Sequence, residues 1–148
     1  MVIDAKHMDS AIEEAKLAFS KGETPVGAVV VCGDAILARA HNAVEACGDP
    51  SMHAELIALK AACSIKSRFL TDCTLYVTME PCPMCAGACL NYRIGAVVFG
   101  AYDAACGAFG TSVDLGNGEF GRKIPVFGGV REEQCAALLK DFFKDKRG

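Results

Sequence analysis

The chain has 148 residues, 52% of them hydrophobic and 22% charged, with a formal net charge of −3. Such a composition fits one compact domain spanning 1–148 and excludes a disordered chain. No apolar run reaches the roughly 18 residues of a membrane span and the start has no signal-peptide core, so the protein is expected to be soluble and cytoplasmic, with no membrane partner.

Met8, Ala11, Ile12, Ala15, Ala18 and Phe19 recur at helical spacing and predict a first helix ending near Gly22. "VGAVVV" (26–31) and "AILARA" (35–40), joined by the turn "CGD", predict an antiparallel hairpin. A second helix is expected from about Met52 to Cys63, with Ser51 as its N-cap. "TLYVT" (74–78) is a third strand, 83–92 a third helix with proline in its first turn, and "AVVFG" (96–100) a fourth strand.

Residues 101–123 hold five glycines and read as a long loop with room for one short helix. "IPVF" (124–127) is an edge strand, demoted by Pro125, and Cys135, Leu138, Leu139 and Phe142 mark a last helix. This order predicts an α/β fold of three α-β-α layers, a mixed five-stranded sheet with helices on both faces.

Nine cysteines, an odd number, without an export signal argue for reduced thiols. Cys32, Cys63, Cys73 and Cys135 lie in apolar patterns and read as core. Cys82 and Cys85 follow a strand and open a helix, where the helix N-terminus favours thiolate. That pair alone fits a redox dithiol or a metal site equally well.

"SMHAEL" supplies the rest. His53 and Glu55 stand at the start of another helix, and two helix starts can converge at one edge of a sheet. His53, Cys82 and Cys85 form an N/S donor set suited to Zn²⁺. Three protein ligands leave a fourth position for water, beside which Glu55 would stand. Cys89, one helical turn after Cys85, could complete a closed structural site, but reads better as core. Cys106 carries no assigned role.

The pattern H-x-E…P-C-x-x-C is that of zinc nucleobase deaminases. Here it reads His53-Ala54-Glu55, 25 residues, then Pro81-Cys82-Pro83-Met84-Cys85. With "KGETPVGAVVV", "HNAVE", "DPSMHAEL", "TLYVTMEPCPMCAGA" and "RIGAVVFGAYDA", the chain resembles the cytidine deaminase superfamily, and within it the bacterial tRNA-specific adenosine deaminases.

The resemblance implies a cytidine deaminase-like fold and one Zn²⁺ per subunit on His53, Cys82 and Cys85. It implies Glu55 as proton shuttle for water attack at C6 of adenosine, giving inosine at the wobble position of a tRNA anticodon loop. Asn42 would contact the base, Val26 and Ala54 would line its pocket, and Asp103 would lie in the loop beside neighbouring nucleotides. A homodimer with a composite site is also implied.

Candidate RNA contacts are Arg93, Arg122, Lys123, Lys140, Lys144, Lys146 and Arg147. The chain departs from many members at Ala105, where lysine is common, in "GEFGRKI", and in its short basic tail; all three bear on RNA rather than chemistry. Two other readings stand beside this one. The first is a guanine or cytosine deaminase acting on a small molecule; the second is a dithiol redox protein or a non-catalytic zinc module.

Overall fold

A computed structural model describes residues 2–147, with side chains through Lys144. Asp4 caps the first helix, α1 (Ala5–Ser20), by accepting from the Lys6 amide. The helix buries the stripe Met8, Ala11, Ile12, Ala15 and Ala18. The hairpin forms as expected, β1 (Gly27–Cys32) pairing antiparallel with β2 (Ala35–His41), with a register shift between Val30 and Val31.

A four-residue helix, α2 (Val44–Cys47), lies where the periodicity is too short to read. Next come α3 (Ala54–Ile65), β3 (Cys73–Met79), α4 (Pro83–Asn91), β4 (Ala96–Ala101), β5 (Val126–Phe127) and α5 (Glu132–Arg147).

The sheet order is β2-β1-β3-β4-β5, with β1 antiparallel to both neighbours and β3, β4 and β5 parallel. α1 and α5 touch each other and cover one face, while α3 and α4 cover the other. Val29 and Val30 point to opposite faces and both are fully buried, as a strand between two helical layers requires. Gly27 sets the depth of one layer, because a Cβ there would strike the α1 backbone at Ala11 and Ala15.

Three expectations need correction. The N-cap of α3 is His53, not Ser51; Ser51 instead bonds Asp49 through its amide and hydroxyl. The edge strand shrinks to Val126–Phe127, since Pro125 has no N–H and contributes only a carbonyl to Val97. Residues 102–125 form no helix; they turn through two isolated bridges, Phe109 with Asp114 and Asn117 with Lys123.

Candidate active site

The C-terminal end of β3 and the N-terminal end of β1 meet at one edge of the sheet, and the starts of α3 and α4 point there. His53 is the N-cap of α3 and Cys82 that of α4, and neither side chain caps its own helix. They turn toward each other instead. His53 Nδ1 lies 3.7 Å from Cys82 Sγ and 3.5 Å from Cys85 Sγ.

Zinc bonds of about 2.0 Å to nitrogen and about 2.3 Å to sulfur give a tetrahedral N···S edge of about 3.5 Å, so the trio fits that ion. It is also a set of donor atoms close enough to share one cation. Cys89 is fully buried in the hydrophobic core and outside the trio.

Without a metal the two thiols divide one proton. Hydrogen bonding from Cys85, then from His53, draws Cys82 down to about 4. Cys85 moves strongly upward, as donor to that thiolate and through burial. The imidazole of His53 is raised, chiefly by its contact with Cys82. A bound cation takes the place of the shared proton.

Beside the trio, Glu55 is 4% exposed, and burial pushes its carboxyl up to about 6. A carboxyl near 6 can both take and return a proton around neutral pH.

These groups open into a cavity of about 480 Å³, lined among others by Val26, Asn42, His53, Glu55, Cys82 and Asp103. The side-chain oxygen of Asn42 accepts from the Ala54 amide at 2.8 Å, so its own amide N–H groups are left to donate to a ligand. Ala54 is fully buried and does not line the cavity. Its N–H is taken by Asn42, so it acts on the cavity only through that side chain. Asp103 does line the cavity, and its carboxylate also closes a turn by accepting from the amides of Ala105 and Cys106.

Two buried glutamates escape sequence reasoning. The Glu23 carboxylate accepts from the Glu45 and Ala46 amides at 2.9 and 2.7 Å, holding the free N–H groups of α2. Glu80 accepts from the amides of Asp103, Phe109 and Thr111 and from the Thr111 hydroxyl. Its four donors are spread over nine residues of a loop without periodicity, so only its place beside Pro81-Cys82 hinted at it. Phe142 and Phe143 of α5 complete the wall.

No lysine or arginine lines the cavity among the described residues, while Glu23, Glu45, Glu55, Glu80 and Asp103 do. The Arg93 guanidinium stacks on Phe69, 4.0 Å from its centroid, at the other end of α4. Arg122 is half-buried with its Nε unpartnered, and Lys123, Lys140 and Lys144 are exposed. The side chains of Lys146 and Arg147 lie outside the described residues.

A three-layer α/β fold whose helix starts present one histidine, two cysteines and a buried glutamate is that of a zinc-dependent deaminase. Residues 1–101 match the cytidine and deoxycytidylate deaminase zinc-binding region, and the chain belongs to that family.

Over 149 aligned residues it is 45% identical to the tRNA-specific adenosine deaminase of Bacillus subtilis (strain 168), covering 99% of this chain and 92% of that one. A solved structure from studies of A-to-I editing by tRNA:A34 deaminases superposes with a TM-score of 0.88 at 33% identity, covering 92% of this chain and all of the other. The guanine deaminase of Bacillus subtilis superposes with a TM-score of 0.66 at 32% identity, over 84% of this chain and 83% of that one.

Proposed function

We propose that this chain is a zinc-dependent hydrolase that deaminates adenosine to inosine in tRNA, at the wobble position of an anticodon loop. The observation that carries the reading is the buried Glu55 carboxyl beside three donor atoms spaced for zinc, at the floor of a cavity large enough for a nucleoside. The similarity to tRNA-specific adenosine deaminases over almost the full chain supports the substrate.

In this reading His53, Cys82 and Cys85 hold the zinc. The ion supplies Lewis acidity that brings a bound water's pKa toward neutrality. Glu55 removes the proton of the attacking water, delivers it to N1 of the ring, and passes a second proton to the amine that leaves C6 as ammonia. Asn42 donates to the base edge, Val26 packs on the base, and Asp103 presents the 103–111 loop to the flanking nucleotides. An anticodon loop offers an already unstacked base at low cost.

α5 brings Phe142 and Phe143 to the cavity and carries Lys140, Lys144, Lys146 and Arg147 along the same helix, which supports it as the approach for phosphates. Arg93, Arg122 and Lys123 belong to the same proposal as outer contacts. A homodimer fits as well. Met84 is exposed at the start of α4, and Gly87 has open space beside its Cα. Residues 1–148 act as one domain in this reading. A cytoplasmic setting is part of it, and no helix among the described residues is long and apolar enough to cross a membrane.

The acidic cavity wall, with no lysine or arginine among the described residues, favours a second reading, a guanine deaminase acting on the free base. One experiment separates them: supply zinc-loaded protein with total tRNA, free adenosine, guanine and cytosine, and measure ammonia and inosine. Inosine formed in tRNA with free bases untouched is the expected outcome. Turnover of guanine with inert tRNA would replace the first reading by the second.

A further inference from the structure

The antiparallel pairing of β1 with β3 brings a second pair of cysteines together, at the end of the sheet away from the cavity. Cys32 closes β1 and Cys73 opens β3, and the two are register partners. Direct partners on adjacent strands project from the same face. Asp72 immediately precedes Cys73. Its two oxygens divide between the thiols, Oδ2 lying 3.7 Å from Cys32 Sγ and Oδ1 3.7 Å from Cys73 Sγ. All three side chains offer a donor atom within 4.8 Å of the other two.

A tetrahedral site with Zn–S of about 2.3 Å and Zn–O of about 2.1 Å has an S···O edge of about 3.6 Å. Each thiol lies at about that edge length from an Asp72 oxygen, Oδ2 for Cys32 and Oδ1 for Cys73, so a small turn of the carboxylate brings one oxygen to both sulfurs.

A cation already sits at this cluster. The Lys66 ammonium, at the C-cap of α3, is 2.7 Å from Asp72 Oδ2. It marks the side of the cluster toward which the carboxylate directs its negative charge. Cys73 is buried, whereas Cys32 is half-buried and Asp72 exposed, so the cluster has one anchored and two accessible donors. The cavity of about 610 Å³ that Asp72 and Cys73 help line gives an ion a path in.

We propose that Cys32, Asp72 and Cys73 form a second metal site, taking a thiophilic divalent cation of the zinc class, with Lys66 holding its place in the metal-free protein. Binding forms two metal–sulfur bonds and one metal–oxygen bond. It releases the two thiol protons to solvent and swings Lys66 off Asp72. Six residues of β3 lie between Cys73 and the candidate active site, about 20 Å at strand spacing, so the two ions would not share ligands.

The test uses the full chain, reduced, equilibrated with zinc salt and desalted. Elemental analysis should give two zinc ions per wild-type chain and one per chain of the Cys32→Ser/Cys73→Ser double variant, with deaminase activity equal in both. Asp72→Asn, at an exposed position that leaves packing alone, should weaken the second ion about 10-fold or more. With Co²⁺, the second equivalent should add a thiolate-to-metal charge-transfer band that the double variant lacks. A wild-type chain holding one zinc overturns the proposal, as does a second zinc that persists in the double variant.

Discussion

Replacing Glu80 with glutamine isolates what the buried carboxylate does. Oε1 accepts from the Asp103 amide and the Thr111 hydroxyl, Oε2 from the Phe109 and Thr111 amides. Glutamine does best with its N–H₂ in place of Oε1, where the Thr111 hydroxyl can turn to accept from it; the Asp103 amide then loses its acceptor and the two bonds at Oε2 lose their charge. At about 1.5 kcal/mol for the lost bond and about 0.7 kcal/mol for each weakened one, the loop is weakened by about 3 kcal/mol, on the order of 100-fold in its opening equilibrium.

The loss is local because the donors all lie on one loop, which can detach and hydrate while the sheet stays folded. The wrap is also close: a Cβ at Gly107 would collide with the Glu80 carboxyl group. Hydrogen exchange followed by mass spectrometry should show peptides covering 103–111 exchanging on the order of 100-fold faster in Glu80→Gln, with α1 and β1 unchanged. Zinc content should remain at its wild-type level, and kcat/KM on the tRNA substrate should fall. Loop exchange equal to wild type, or an acceleration spread evenly over the chain, refutes the clamp.

Three further outcomes are expected. Glu55→Ala should keep its zinc while losing at least the 10²–10⁴-fold typical of general acid–base help, read as inosine formed per minute; normal turnover would remove the shuttle role. Cys82→Ser should lose metal affinity, seen as a lower zinc content against the same chelator, and undiminished zinc would count against the donor set. In metal-free protein, burial raises the Glu55 carboxyl from 4.5 to about 6, so the folded state binds its proton more tightly than the unfolded chain does. That contribution is whole below pH 4.5 and is lost as pH rises through 6. Glu55→Gln should therefore be the more stable form at pH 8 by about 2 kcal/mol, the difference closing in acid. Urea titrations that show the same gap at pH 4 and pH 8 would contradict it.

Much of this was legible because the chemistry is written at helix starts. His53, Glu55, Cys82 and Cys85 keep fixed short spacings, and the apolar runs of β1, β3 and β4 are long enough to read as buried strands. Glu23 and Glu80 were not legible. A carboxylate in a polar loop looks solvated until the fold wraps backbone amides around it, and those amides come from segments more than twenty residues away. Four residues of α2 cannot show a period of 3.6. The meeting of Cys32 with Cys73 was hidden for a related reason. Each sits in an apolar run and reads as core, and only strand register reveals a carboxylate between them. The lysines and arginines have no such spacing to read, since charge on a surface carries no address.

The Asn42 amide joins two neighbourhoods that textually distant motifs keep separate. Its oxygen pins the first turn of the helix bearing the imidazole and the acid, while the residue itself lines the chamber. A swap at this position intended to alter which base is accepted would therefore also jostle the scaffold of the ion. Selectivity and metal retention should drift together there, and variants seeking a new substrate would fare better elsewhere along the wall.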